Sequence, residues 1–188
     1  MTEETLLTCI LESIQNLYHN NSESGNSLPE VIQNIRHQPY EIAAIFDQYG
    51  HKICEQTNHR EELCAIALPA EWQASAHLMI HNHVVDGTFS PEDIVTAKDL
   101  DIQIVLVVTP HYNFYLLRPV SGWPDNDDWL EESRTIIQMY QHHRRYDYNL
   151  DAARHLALLK VAQHHRMTYY VTDIAGHCIP AGQQLKAS

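Results

Sequence analysis

The stretch His77-Leu78-Met79-Ile80-His81-Asn82-His83-Val84-Val85-Asp86-Gly87-Thr88-Phe89-Ser90-Pro91-Glu92-Asp93 decides how the rest of the chain is read. Its first part is apolar and ends in His-x-His. Residues two apart on a strand face the same side, so His81 and His83 project together from the end of a strand over about 77–82. Pro91 suits the first position of a helix, and Asp93, three residues after Ser90, looks back over that helix's first turn. Two readings of Ser90-x-x-Asp93 stand side by side. It is the pattern of a capping box, which satisfies the free N–H groups of a helix start. Asp93 is also suited to be a third ligand beside two neutral imidazoles, with a fourth position left open, as a catalytic zinc site requires. The apolar strand, the His pair, the Gly-containing loop and the helix start occurring together point to metal.

Working outward, the segments on either side alternate between strand and helix. Residues 40–47 form a short apolar run ending at Gln48-Tyr49-Gly50-His51, and Lys52-Ile53-Cys54 after it predicts a hairpin. A helix is expected over 91–100, a strand over 102–109 and, after Pro110-His111, an antiparallel strand over 112–118. Past the Gly122-Trp123-Pro124-Asp125 loop, helices are expected at about 128–145 and 150–165, with a last strand at 167–172. Upstream, Leu6, Leu7, Ile10, Ile14 and Leu17 have helical spacing, and residues 20–27 are a polar linker. The division is therefore 1–28 as N-terminal helix and linker, and 29–188 as one domain with a helical segment at about 125–173. No internal repeat is found. The fold class is mixed α/β, a mixed sheet flanked by helices rather than a strict parallel series.

Composition narrows the function. The 188 residues are 44% hydrophobic and 19% charged, enough apolar material for a core. The net charge of −12 leaves no basic stripe for a phosphate backbone, since Arg144 and Arg145 sit among acidic neighbours. Nucleic acid is not an expected partner, whereas a basic protein or peptide is compatible. Cys9, Cys54, Cys64 and Cys178 form no CxxC pair and are expected as reduced, partly buried thiols. The start, Met-Thr-Glu-Glu, is acidic where a signal peptide is positive, and no run reaches the roughly 18 apolar residues of a membrane span. The expectation is a soluble, cytoplasmic protein with no membrane partner.

These residues resemble a known family. "HNH" followed by "DGTFSPEDI" looks like the JAMM signature of JAB/MPN-domain metalloproteins, closest to bacterial and prophage-associated members. The likeness covers about residues 38–118 and, more loosely, 150–173. It implies a JAB/MPN-like sheet and Zn²⁺ held by His81, His83 and Asp93. It also implies Glu41, ahead of the Gly50 hairpin, as general base for a zinc-activated water, and Ser90 as donor to the oxyanion. The reaction implied is hydrolysis of a peptide or isopeptide bond in a protein tail or conjugate. A Glu opening a strand is otherwise a solvated edge residue, and Glu62 and Glu71 are alternatives for the base.

The sequence departs from the family at Val84, where a Pro follows the second His, and at Val85-Asp86, where Ser-Gly is frequent. The alternative is therefore a catalytically silent MPN-like scaffold or binding module in a prophage- or defence-type assembly. A zinc hydrolase of a small amide ranks third. His77 shares the face of His81 and is a candidate second-layer partner, and His111 lies at a strand break near the same end. Adjacent helical residues do not share a face, so at most one of His142-His143 and one of His164-His165 is expected at any site. The contiguous letters His-Asn-His do not make an HNH nuclease, and the chain is too short for a metal-dependent barrel.

Overall fold

The strand read from the His-x-His stretch is the third of seven in one sheet. The computed structural model describes residues 28–57, 73–142 and 150–179. Within them the order is α1 (Leu28–Arg36), β1 (Ile42–Phe46), β2 (Lys52–Thr57), β3 (Leu78–Asn82) and α2 (Pro91–Asp99). Then follow β4 (Ile104–Val108), β5 (Tyr112–Leu117), α3 (Asn126–His142), α4 (Leu150–His164), β6 (Thr168–Asp173) and β7 (Cys178–Ile179). The expected helix at 3–18, the linker, Cys9, Cys64, Glu62, Glu71 and the Arg144-Arg145 pair lie outside the described residues.

The sheet runs β2-β1-β3-β4-β5-β6-β7. Among the described residues only β3 and β4 pair in parallel, with His81 opposite Val107 and Asn82 opposite Val108. The other neighbours are antiparallel. A parallel pair needs a crossover, and α2 supplies it, so the His-x-His end, the loop after it and the start of α2 meet at the carboxyl ends of two adjacent strands. That is where open α/β sheets place their ligands.

Alternation along the strands divides the core into two layers. Ile45, Met79, Val105 and Phe114 pack beneath Ile94 of α2, Trp129 of α3 and Leu158 and Val161 of α4. On the other face Phe46, Ile80, Leu106 and Tyr170 pack against Leu28, Val31 and Ile35 of α1. Helix α1 carries Arg36 into the interior at 3% exposure. Its guanidinium donates to the Thr109 carbonyl and, at 2.6 Å, to Oδ1 of Asn113, so it clamps the β4–β5 turn.

The β1–β2 and β6–β7 hairpins are built from the same letters, Asp-x-x-Gly-His, at 47–51 and 173–177. In both, Oδ1 of the Asp accepts from the backbone N–H two and four residues on, and Oδ2 lies 3.0 Å from Nδ1 of the His. Gly50 and Gly176 take φ of 86° and 87°, a region nearly closed to other residues. Cys54 is half-buried, but Cys178, on the two-residue edge strand β7, is exposed, so the expectation of partial burial fails there. No helix among the described residues is long and apolar enough to cross a membrane.

Candidate metal centre

Three side chains converge at the carboxyl end of β3. Nε2 of His81 lies 3.1 Å from Nε2 of His83 and 3.2 Å from Oδ1 of Asp93. Nε2 of His83 lies 3.5 Å from Oδ2 of Asp93. Donors about 2.05 Å from a shared tetrahedral ion stand about 3.3 Å apart, so this spacing matches that of three ligands of one zinc. The donor set also fits, because two imidazoles and a carboxylate are what such an ion takes, and all three groups are largely buried.

Each side chain is held by its own element. His81 is inside β3 and faces the α2–α4 side, opposite Val107. His83 is one residue past the strand, yet its backbone N–H still bonds the Val108 carbonyl at 2.9 Å, which extends the strand direction. The Gly87 backbone lies near enough to the His83 ring to help raise its pKa.

Asp93 completes the capping box and also turns a carboxylate oxygen toward the two imidazoles. Ser90 Oγ accepts from the Asp93 N–H at 3.2 Å, and Asp93 Oδ2 accepts from the Ser90 N–H at 2.6 Å, a complete capping box. The other carboxylate oxygen remains turned toward His81. Burial raises the Asp93 pKa, but His81 and then His83 outweigh it and hold the carboxyl well below its usual range. Burial lowers the His83 pKa, yet Asp93 and, behind it, Glu41 reverse the sign and leave it raised. The cluster thus favours a positive charge at its centre.

Glu41 is half-buried and acts electrostatically on His83. Ala43 pairs with His81, so the ladder continued by two residues sets Glu41 across from His83. Asn82 holds that juxtaposition: its Oδ1 accepts from Ile42 N at 2.7 Å, and its Nδ2 donates to Tyr40 O at 3.0 Å. The backbone on both sides of Glu41 is therefore pinned to the residue between the two histidines. Ser90 is half-buried beside them, with its O–H proton left free by the cap.

Comparison with family models, curated proteins and solved structures returned no match.

Two expectations about other histidines are settled by position. His77 lies at the opposite end of β3 and lines a cavity of about 650 Å³ with Asp47, Asp99 and Asp101. His111 is outside the cluster too; its Nδ1 lies 2.7 Å from Oδ2 of Asp86. Asp86 is a supporting residue that sequence reading passed over. Its Oδ1 accepts from Thr109 Oγ1 at 2.7 Å and from His111 N at 3.1 Å, tying the loop after His83 to the β4–β5 turn. No local signal marks it, since both partners are distant in sequence. The rule that His164 and His165 cannot share a site is overturned, because both rings reach Glu132 of α3.

Proposed function

We propose that this chain is a zinc-dependent hydrolase of JAB/MPN type, cleaving a peptide or isopeptide bond in a protein tail or conjugate. The observation that carries the reading is the meeting of His81, His83 and Asp93 at ligand spacing, with the Glu41 carboxylate acting on His83 from the neighbouring strand. A seven-stranded mixed sheet with helices on both faces is compatible with that fold. His81, His83 and Asp93 would hold the zinc, and the chemistry it would supply there is that of a Lewis acid.

The chain's own groups do the rest. Glu41 takes a proton from the attacking water and delivers it to the leaving amine. Ser90 donates its free O–H to the carbonyl oxygen as that atom gains negative charge. Asn82 keeps Glu41 in place through its bonds to the backbone of Tyr40 and Ile42. Val84 and Val85, the latter 69% exposed, form an apolar lip on the loop after His83. Such a lip suits an extended polypeptide better than a small polar amide.

The test is zinc content and hydrolysis measured together on untagged protein. His83→Ala should lose tightly held zinc. Glu41→Gln should keep zinc and lose about 10²- to 10⁴-fold in cleavage of a peptide and isopeptide panel. A His83→Ala protein that holds zinc as well as the parent would overturn the site. Zinc binding without any cleavage by the parent would leave a silent module of the same architecture.

A further inference from the structure

A second group of ligands lies away from this centre, between the two long helices. Nδ1 of His164 is 3.0 Å and 2.9 Å from the two carboxylate oxygens of Glu132, and Nε2 of His165 is 3.0 Å from Oε2. The two imidazole rings lie side by side, with centroids 4.8 Å apart. Adjacent positions on a helix point about 100° apart, yet a carboxylate presented by a neighbouring helix between those directions is reached by both rings. Helix α4 stops here: His165 N still bonds the Val161 carbonyl, Arg166 takes φ of 58°, and Met167 N closes on the Ala162 carbonyl.

We propose that Glu132, His164 and His165 form a second site for a divalent transition metal of the zinc class, joining α3 to α4. The donor set is two imidazole nitrogens and a carboxylate, all ligand atoms lying within 4.8 Å of one another. The ion would sit at the carboxyl end of α4, where the last carbonyls carry partial negative charge. Among the described residues the only ion-pair partners of Glu132 are the two imidazoles. Lys160, one turn earlier on α4, lies over the Tyr140 ring at 5.1 Å instead. The His165 side chain is 15% exposed and that of His164 is 70% exposed, so one face stays open to water and the ion exchanges with solvent. The site is a clamp between two helices, and it does not depend on the proposed hydrolase.

Calorimetric zinc titration of the full, untagged chain tests it, with parent, His164→Ala, Glu132→Gln and His83→Ala compared. The exposure of His164 makes its removal harmless to folding. The parent should bind two equivalents of zinc, and His164→Ala and Glu132→Gln should each weaken the looser one at least tenfold while leaving the tighter one unchanged. In His83→Ala the looser equivalent should remain, and zinc should still raise the melting temperature; adding His164→Ala to that protein should abolish the rise. Parent and His164→Ala proteins with identical isotherms would overturn the second site. An equivalent lost in His164→Ala with none lost in His83→Ala would instead uphold it and remove the centre at His81.

Discussion

Ser90 and Asp93 cap one another's backbone, and the same Asp93 carboxylate still turns Oδ1 to His81 at 3.2 Å. Oδ2 serves the helix cap while lying 3.5 Å from His83, and Oδ1 serves the cluster alone, so the cap and the carboxylate charge can be probed by different substitutions. Ser90→Ala removes a cap worth about 1 kcal/mol and should lower the melting temperature slightly with zinc content unchanged. Asp93→Asn keeps an oxygen for the Ser90 N–H but gives up the charge, and should weaken zinc by about 10- to 100-fold or more and lose the metal-free stabilisation that the carboxylate draws from His81 and His83. Equilibrium dialysis and thermal melts of the two variants check this. Equal zinc loss in both would mean that the cap, rather than the carboxylate charge, governs binding.

Asn82 is fully buried between the two histidines, and its amide satisfies the backbone of Tyr40 and Ile42. Replacing it with Ala removes both hydrogen bonds to this part-buried backbone, a cost of about 1 kcal/mol for each bond lost. Asn82→Ala should therefore be less stable, retain its zinc, and lose kcat through the displaced Glu41 with little change in KM. Asn82→Asp, which would bury a carboxylate with one oxygen against the Tyr40 carbonyl, should be no more stable than Asn82→Ala. If Asn82→Ala lost zinc in proportion to activity, Asn82 would be positioning the ligands and not the base.

The paired shifts of His83 and Asp93 make metal and proton competitors. A His with a raised folded pKa contributes stability that is full below its unfolded value of about 6.5 and is lost as pH rises through the folded value. Asp93, depressed, contributes above about 3.9 and loses that contribution as pH falls through its lowered value. Without metal, the pair is thus most stabilising between those limits and weakens on the alkaline side. Zinc needs the neutral ring, so the melting-temperature gain on adding zinc should widen from pH 6 to pH 8. In EDTA the parent should lose stability across that range relative to His83→Gln. A zinc-induced gain that is flat with pH would contradict the assignment of His83 as a ligand.

Much of the architecture is legible because it is written in local periodicity. The short apolar runs at 40–47 and 77–82 and the segment returning over 112–118 place β1, β3 and β5, and Pro91 with Ser90 places the start of α2. His81, His83 and Asp93 come together through strand alternation and one helical turn, both short-range rules. Helix α1 is absent from the sequence reading although Leu28, Val31 and Ile35 have helical spacing and Pro29 suits its first turn. The β6–β7 hairpin is likewise unread, although 173–177 repeats the pattern of 47–51. Asn82, Asp86 and Glu132 are a different matter. Their partners lie 23 to 42 residues away in sequence, and only strand register or helix pairing brings them near. The rule that adjacent helical histidines diverge fails at 164–165 because it treats a helix as if nothing lay beside it.

His155 of α4 is a buried imidazole with a defined chemical task outside both clusters. Its Nδ1 lies 2.7 Å from the hydroxyl of Tyr169, which is 2.9 Å from Oγ1 of Thr88 on the loop leading to α2. A neutral His155 accepts from Tyr169, whose oxygen then accepts from Thr88, so the three groups satisfy one another. Burial lowers the His155 pKa to about 4 and raises that of Tyr169, which keeps both neutral near pH 7. A depressed His contributes stability that is full above about 6.5 and is lost as pH falls toward 4, on the order of 3 kcal/mol in all. His155→Gln retains an acceptor for Tyr169 but cannot titrate. Urea unfolding at pH 6.5, 5.5 and 4.5 should therefore show a steeper loss in the parent than in His155→Gln, with the two curves parting mainly below pH 6. Parallel losses would mean that the ring accepts its proton without disturbing the Thr88–Tyr169 link, and that this loop is held by something else.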